Sequence, residues 1–395
     1  MVVLERVCGI ILDVNPNTLH VGLNASLLSL DENYRGAGIS WYIHNLLCHL
    51  PAADPTLRYT AFLHDTQFSP PRGMQVSGIP WPTHSPIQRI LWEQAVAPAV
   101  LRRKKMDVFH AMAFVSPVLS RLPTVVTVLD LSFLLFPKAF TLVKRLYLQL
   151  MTRLSVRRAK QVIAISEHTR QDLIAHLGVP GDRVQTVYCG VDAAFRPLPP
   201  AHVEAFRLQK GLPQRFVLFL GTLQPRKNIV RLIEAFARLV DEITDLHLVI
   251  AGGKGWFFEP IFARVNALGL QGRVHFPGYV PEEEKALWYN AATCFCFPSL
   301  YEGFGLPPLE AMACGTPVVT SNVASLPEVV GDAGVTVPPQ DVHALSAALR
   351  RVLTQADLRA ALTEKGVAQA TRFSWHHAAC QTASIYRQVG QEKTR

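Results

Sequence analysis

The sequence of 395 residues is 49% hydrophobic and 17% charged, with a formal net charge of +9. This composition excludes a disordered chain, and the length predicts two domains of about 200 residues each rather than one core. No run approaches the roughly 18 uninterrupted apolar residues of a membrane-spanning helix, and Val7–Leu12 (VCGIIL), with Glu5 before it and Asp13 after it, is too short for a signal-peptide core, so a cytoplasmic location is expected.

Seven cysteines (Cys8, Cys48, Cys189, Cys294, Cys296, Cys314 and Cys380) contain no Cys-x-x-Cys pair, and their odd number argues against a closed disulfide framework. No metal site is expected. Residues 1–200 hold 20 Lys and Arg against 13 Asp and Glu, whereas residues 201–395 hold 19 against 17. The excess in the first half suits an anionic partner such as a membrane, a phosphorylated lipid, an acidic glycan or a nucleic acid.

In chain order, 19–25 (LHVGLNA) predicts a first strand, followed by a loop containing Gly36-Ala37-Gly38 and a helix from about Ser40 to Leu50. A second strand is expected over 57–64, then a proline-rich loop over 69–86 and an amphipathic helix over 90–101 that ends in the basic run 102–105. Short buried strands follow at 107–110 and 124–129, the second ending at Asp130. Between Leu131 and Ser166 there is no acidic residue, while Lys138, Lys144, Arg145, Arg153, Arg157, Arg158 and Lys160 supply seven cations. Leu142, Leu146 and Leu150 recur there at helical spacing, which fits either an amphipathic helix on anionic lipid or a core-packed helix with a solvated cationic side. Strands at 161–166 and 184–188 flank a helix over 167–177 that Ser166 is placed to cap. Four prolines in 197–213 mark an interdomain linker, separating a domain of residues 1–196 from one of residues 214–373.

The second domain opens with a strand over 216–220, then Gly221-Thr222-Leu223-Gln224-Pro225-Arg226-Lys227-Asn228 and a helix over 229–239. Two adjacent cations at a helix entrance suit a diphosphate, Arg226 as a fork and Lys227 as a point charge. A strand at 246–251 leads into Gly-Gly-Lys-Gly-Trp, and 274–276 leads into Pro277-Gly278-Tyr279-Val280-Pro281. Further on, 334–337 predicts the last strand, with helices over 341–353 and about 374–388. Strands alternate with helices in both halves, which predicts two doubly wound parallel α/β sheets.

The stretch 301–320 (YEGFGLPPLEAMACGTPVVT) carries the most chemistry. A buried strand precedes it, and the run 309–313 predicts a helix stopped by Gly315. Ligands of α/β sheets sit at the carboxyl ends of strands, Gly303 and Gly305 allow close backbone approach, and helix N-terminal amides favour anionic oxygens. Glu302 and Glu310, with seven residues between them, each offer an oxygen pair to vicinal hydroxyls of a sugar or ribose.

Glu302-x7-Glu310 in this context resembles the signature of the retaining GT-B glycosyltransferases of the group 1, GT4-like family, which includes sucrose synthases and bacterial mannosyltransferases. The resemblance implies two Rossmann-like domains facing a cleft, the first binding acceptor and the second nucleotide sugar, with the helix from about 374 to 395 crossing back to the first. It implies that Glu302 contacts the transferred sugar and Glu310 the ribose hydroxyls, with Gly303, Phe304, Gly305 and Leu306 lining the same turn. Gly38, Gly221 and Thr222 would approach donor phosphates and sugar, Arg226 and Lys227 the diphosphate, and the backbone of Tyr279 and Val280 the base. Where the family commonly has His-Asp-Leu at the end of the second short strand, this chain has Leu129-Asp130-Leu131, which removes one donor-sugar contact. Asp130 is placed either to approach the acceptor hydroxyl or to cap a helix.

The expected activity is transfer of a hexose from a nucleotide diphosphate sugar, GDP-mannose being favoured, to a hydroxyl of a glycan or lipid-linked acceptor with retention at the anomeric carbon. Neither cofactor nor metal is expected, since no Asp-x-Asp occurs and Arg226-Lys227 supply the cations. Such an enzyme would serve cell-surface glycan, glycolipid or polysaccharide synthesis at the inner membrane face. The alternative is a noncatalytic nucleotide-sugar or glycan binding protein on the same fold. A dinucleotide oxidoreductase lacks its full Gly-x-Gly-x-x-Gly here, and nucleic-acid binding lacks an aromatic platform.

Overall fold

The computed structural model describes residues 18–30, 38–65, 67–81, 83 and 85–391. Residues 7–12, Cys8, Gly36 and Ala37, on which expectations were placed, lie outside these, as do 392–395. The first half contains β1 (His20–Asn24), α1 (Gly38–Ala53), β2 (Arg58–Leu63), β3 (Met74–Gly78), α2 (Pro86–Leu91), α3 (Ala97–Arg103), β4 (Val108–Ala111), β5 (Thr124–Val128), α4 (Ser132–Leu135), α5 (Leu142–Arg158), β6 (Gln161–Ala164), α6 (Glu167–Leu177) and β7 (Val184–Thr186). The strands form one seven-stranded sheet in the order β3-β2-β1-β4-β5-β6-β7, and every pairing is parallel. Because helices cover both faces, β1, β4 and β5 are buried at every position, and the polar side chains they bury are hydrogen-bonded, His20 to Thr60 and His110 to Thr127.

Two expectations change here. The proline-rich segment 69–86 is not all loop, for it holds β3, an edge strand paired to β2. Its central residues Gln75 and Val76 are exposed, so it lacks the apolar run that marks the inner strands. The single helix expected over 90–101 begins earlier, at Pro86, and widens into a π turn over Trp92–Val96 before α3. Pro98 brings no N–H, and its ring crowds the preceding turn.

The second half contains α7 (Pro200–Lys210), β8 (Arg215–Leu220), α8 (Ile229–Ala237), β9 (Leu246–Ala251), α9 (Glu259–Ala267), β10 (Val274–Gly278), α10 (Glu282–Ala291), β11 (Cys294–Phe297), α11 (Leu306–Ala313), β12 (Val318–Ser321), α12 (Leu326–Val330), β13 (Gly334–Val337), α13 (Val342–Thr354), α14 (Ala356–Ala370) and α15 (Trp375–Gln391). Its six strands are again all parallel, in the order β10-β9-β8-β11-β12-β13. The segment 197–213 carries α7, with Pro200 in its first turn, where a missing N–H costs nothing, and Phe206 buried 5.5 Å from the Trp288 ring.

The chain returns to the first sheet through α15. Gly190 passes so close to this return that a Cβ there would lie 2.0 Å from Trp375 N. On the first sheet, Tyr386 hydrogen-bonds His110 Nδ1 at 2.6 Å, His110 Nε2 meets Thr127 Oγ1 at 2.8 Å, and Arg387 donates to Asp54 at 2.6 Å. Burial pushes the His110 imidazole down to about 3, so it is a neutral core group.

Candidate active site between the two sheets

The site begins at the exit of β8. Gly252 in the neighbouring loop is the position where only glycine fits, since its φ is +139° and a Cβ would lie 2.0 Å from Gly221 O. The chain then makes a 3-10 turn over Pro225–Lys227 and pivots at Asn228 in the left-handed region, φ 60°. Asn228 Nδ2 donates to Pro298 O at 3.0 Å and to Pro339 O at 2.7 Å, and Leu300 N donates to Arg226 O at 2.9 Å. These bonds fix the two cations against the exit of β11, where Glu302 begins the next turn.

Lys227 Nζ lies 2.7 Å from Glu302 Oε1, and Arg226 Nη1 lies 3.1 Å from Glu302 Oε2 while also donating to Tyr301 O. The Glu302 and Lys227 side chains are 11% exposed and that of Arg226 15%. Lys227 also sits 4.6 Å over the Phe297 ring. Burial would push the Glu302 carboxyl up, but Arg226 and Lys227 hold it at about 2, so it is ionised at neutral pH.

Glu310 belongs to a different cluster. It is buried on α11, and Oε2 accepts from the Tyr289 hydroxyl of α10 at 2.8 Å. Lys285, one turn earlier on α10, pairs with Glu282 and feels the charge of Glu310. Burial pushes the Glu282 carboxyl up against the pull of Lys285, with Glu310 adding to the rise and Trp41 of α1 beside it. The two glutamates of the motif thus serve separate polar groups along one wall.

The opposite wall comes from the end of β5. A Cβ at Gly303 would lie 1.9 Å from Leu129 O and 2.9 Å from Asp130 Cβ, so the 302–305 turn touches the first sheet directly. Thr169 Oγ1 donates to Gly303 O at 3.2 Å, and the Tyr301 hydroxyl donates to Asp172 at 2.8 Å while accepting from Leu131 N at 3.2 Å. Glu328 reaches across from α12: its carboxylate accepts from Glu167 N at 2.9 Å and His168 N at 3.1 Å, at the positive end of α6. The carboxyl ends of both sheets therefore face one cleft, the place where parallel α/β sheets take ligands.

Residues 36–195 match the model described as Glycosyltransferase Family 4, and residues 203–369 match that of Glycosyl transferases group 1. The chain is 37% identical to the Escherichia coli O-antigen chain mannosyltransferase B over 290 residues, covering 73% of this chain and 76% of that protein. It belongs to the group 1, family 4 glycosyltransferases. It is also 33% identical to the Escherichia coli serotype-specific mannosyltransferase WbdA over 227 residues, a stretch of 56% of this chain and 28% of WbdA. Among solved structures, sucrose-phosphate synthase from Thermosynechococcus elongatus superposes with a TM-score of 0.78 at 23% identity, over 94% of this chain and 99% of that one. The shared fold is GT-B.

Within this glycosyltransferase the remaining motif residues occupy distinct positions. Gly38 opens α1, and a Cβ there would meet open space. Gly221 and Thr222 follow β8, where Leu223 N donates to Gly253 O at 2.9 Å. Val280 is buried and Tyr279 is 41% exposed, so of the two side chains only that of Tyr279 faces solvent. Phe304 is buried 6.1 Å from the Tyr188 ring and 5.7 Å from the Phe373 ring, which makes its side chain a packing group between the domains. Gly305, at φ +116°, leads into Leu306, and Pro307 and Pro308 in the first turn of α11 bring no N–H. The donors of that helix start are consequently fewer than an ordinary helix offers. Asp130 Oδ1 accepts from Ser132 N at 2.9 Å and Ser132 Oγ at 2.7 Å, capping the turn into α4, yet its charge still reaches Arg226 and Lys227.

Sequence reasoning missed Glu282, Lys285 and Tyr289 because it left α10 unassigned. Their signal was legible: Glu282 and Lys285 stand three apart on a helix that starts with three glutamates. It also missed Tyr301, Asp172, Thr169 and Glu328, whose partners lie more than 100 residues away.

Proposed function

We propose that this glycosyltransferase moves mannose from GDP-mannose to a hydroxyl of a glycan or lipid-linked acceptor, with retention at the anomeric carbon, in the synthesis of an O-antigen-like polysaccharide. Support for the sugar and the pathway class comes from the Escherichia coli mannosyltransferases named above. The observation that carries the reading is the buried Arg226–Lys227–Glu302 cluster at the mouth of the cleft.

The chemistry follows from charge. Breaking the sugar–phosphate bond leaves negative charge on the diphosphate and positive charge on the sugar ring. Arg226 and Lys227 stabilise the first, and fixed cations in a closed, dry site do this without reorganisation. Glu302 is held ionised beside them and supplies negative charge for the ring side. A front-face displacement in which the departing phosphate takes the acceptor proton accounts for retention without a protein nucleophile. With two side-chain cations on the leaving group, turnover needs no metal ion. The enzyme works in the cytoplasm on this reading, and its six described cysteines are free thiols, as in a reducing compartment.

Leu129 favours the second reading, a noncatalytic sugar-binding protein, because it stands where the family commonly has the His that contacts the donor sugar. One experiment separates the two: incubation with GDP-mannose and a mannose-terminated oligosaccharide, product detection by mass spectrometry, and anomeric assignment by NMR. An α-linked mannoside is the expected product. Nucleotide-sugar binding with no product would favour the second reading, and a β-linked product would overturn retention.

A further inference from the structure

The residues on both sides of Glu302 are bound by one helix of the other domain. Before it, the Tyr301 hydroxyl donates to Asp172 Oδ2 at 2.8 Å and accepts from Leu131 N at 3.2 Å. After it, Gly303 O accepts from Thr169 Oγ1 at 3.2 Å. Thr169 and Asp172 stand three residues apart on α6, so they project from one face of that helix, a turn apart. Both are buried, as is Tyr301.

Tyr301 links the two walls of the cleft through both of its ends. Its ring sits among first-domain side chains, 5.4 Å from the Phe136 ring and 5.9 Å from that of His168. The Asp172 carboxylate that accepts from it is flanked within α6 by His168 Nε2 at 3.4 Å and His176 Nε2 at 3.8 Å. Burial, with the charges of Asp130 and Asp172 adding to it, pushes the Tyr301 hydroxyl far above its ordinary range, so it stays a donor. At the backbone end, the Tyr301 carbonyl accepts from Arg226, and Leu300 N donates to Arg226 O. One residue therefore ties α6 and the end of β5 to the guanidinium assigned to the leaving group.

These bonds exist only while the first domain is seated on the second, and relative motion is the default for two domains that meet through polar contacts. When the domains part, water replaces Asp172, Thr169 and Leu131 N, and the turn loses its anchors on both sides of Glu302. We propose that Tyr301 and Asp172 are positioning residues, whose hydrogen bond, with that of Thr169 beside it, sets Arg226 and Glu302 in their working places only when the first domain is seated. Neither residue meets a reacting atom. Both act through Arg226 and Glu302, so the proposal rests on the roles given to those two residues under the proposed function.

The test uses the full chain. Tyr301→Phe keeps the ring and removes the hydroxyl, so kcat for mannosyl transfer should fall about 10- to 150-fold, the equivalent of one hydrogen bond to a charged group, while the GDP dissociation constant stays within about threefold. Asp172→Leu, made in the other domain, should match it, and the two changes together should cost little more than either alone. Asp172→Asn keeps an acceptor oxygen and should recover most of the rate, a rescue that a purely structural role would not give. Hydrogen exchange supplies a readout without turnover. The first N–H groups of a helix have no partner within it, and those of Glu167 and His168 are held by Glu328 of the second domain. Tyr301→Phe alters neither bond directly, so faster exchange at these two amides is expected from looser seating alone. An unchanged kcat, a loss of GDP affinity as large as the loss of kcat, additive effects of the two changes, or unchanged exchange at 167 and 168 would each overturn the proposal. A wild type that binds no GDP would count against the proposed function, whereas exchange at 167 and 168 decides the seating without it.

Discussion

Replacing Glu302 by Gln keeps the side-chain shape and removes the charge that pairs with Arg226 and Lys227. Its effects on folding, binding and catalysis differ in sign. The carboxyl sits at about 2 instead of the ordinary 4.5, a difference worth about 3 kcal/mol of pairing. The free variant should therefore be less stable by up to that amount, because two buried cations lose their partner. A nucleotide diphosphate brings negative charge to the same cations, so GDP binding should stay level or tighten in Glu302→Gln. Catalysis should move the other way: losing one hydrogen-bonding charge at the developing cation costs roughly 1.5 to 3 kcal/mol, or about 10- to 150-fold in kcat. Thermal melting, calorimetry with GDP and steady-state kinetics on the folded variant measure the three effects. Weakening of GDP binding by tenfold or more would put Glu302 on the nucleotide and refute the assignment, and an unchanged kcat would remove this cleft from the chemistry.

Glu310→Ala should mainly raise the donor KM, again by about 10- to 150-fold, and should lower the melting temperature because the buried Tyr289 hydroxyl loses its acceptor; a fall in kcat at unchanged KM would contradict it. Gly303→Ala places a methyl group 1.9 Å from Leu129 O, so the domains must shift apart and kcat/KM should fall on the order of 100-fold while GDP binding persists; a fully active variant would mean that the contact does not set the cleft. The Glu302 pair also predicts acid sensitivity. Its folded-state carboxyl is depressed to about 2, so its contribution is full above pH 4.5 and is lost as the pH falls toward 2, and acid unfolding should be steeper in the wild type than in Glu302→Gln. Turnover should survive EDTA, and activity abolished by chelation and restored by Mg²⁺ or Mn²⁺ would reassign the leaving-group stabilisation.

The sequence by itself determined the α/β class, the inner strands and the turn that carries Glu302 and Glu310. These depend on local chemistry: a strand buried on both faces is mostly apolar, with its few polar side chains hydrogen-bonded, and a tight turn between strand and helix needs glycine. Its reading broke down where elements carry mixed signals. β3 is a half-exposed edge, α7 sits among prolines, and α9, α10 and α14 present polar faces between loops. With α10 went the partners of Glu310. Tertiary structure alone decided that Glu302 pairs with Arg226 and Lys227, 75 and more residues away, and that Phe304 packs instead of facing the cleft. It also decided that Leu142, Leu146 and Leu150 point outward. The spacing of side chains along a helix defines a face, but only the packing of other elements around that helix determines which way the face looks.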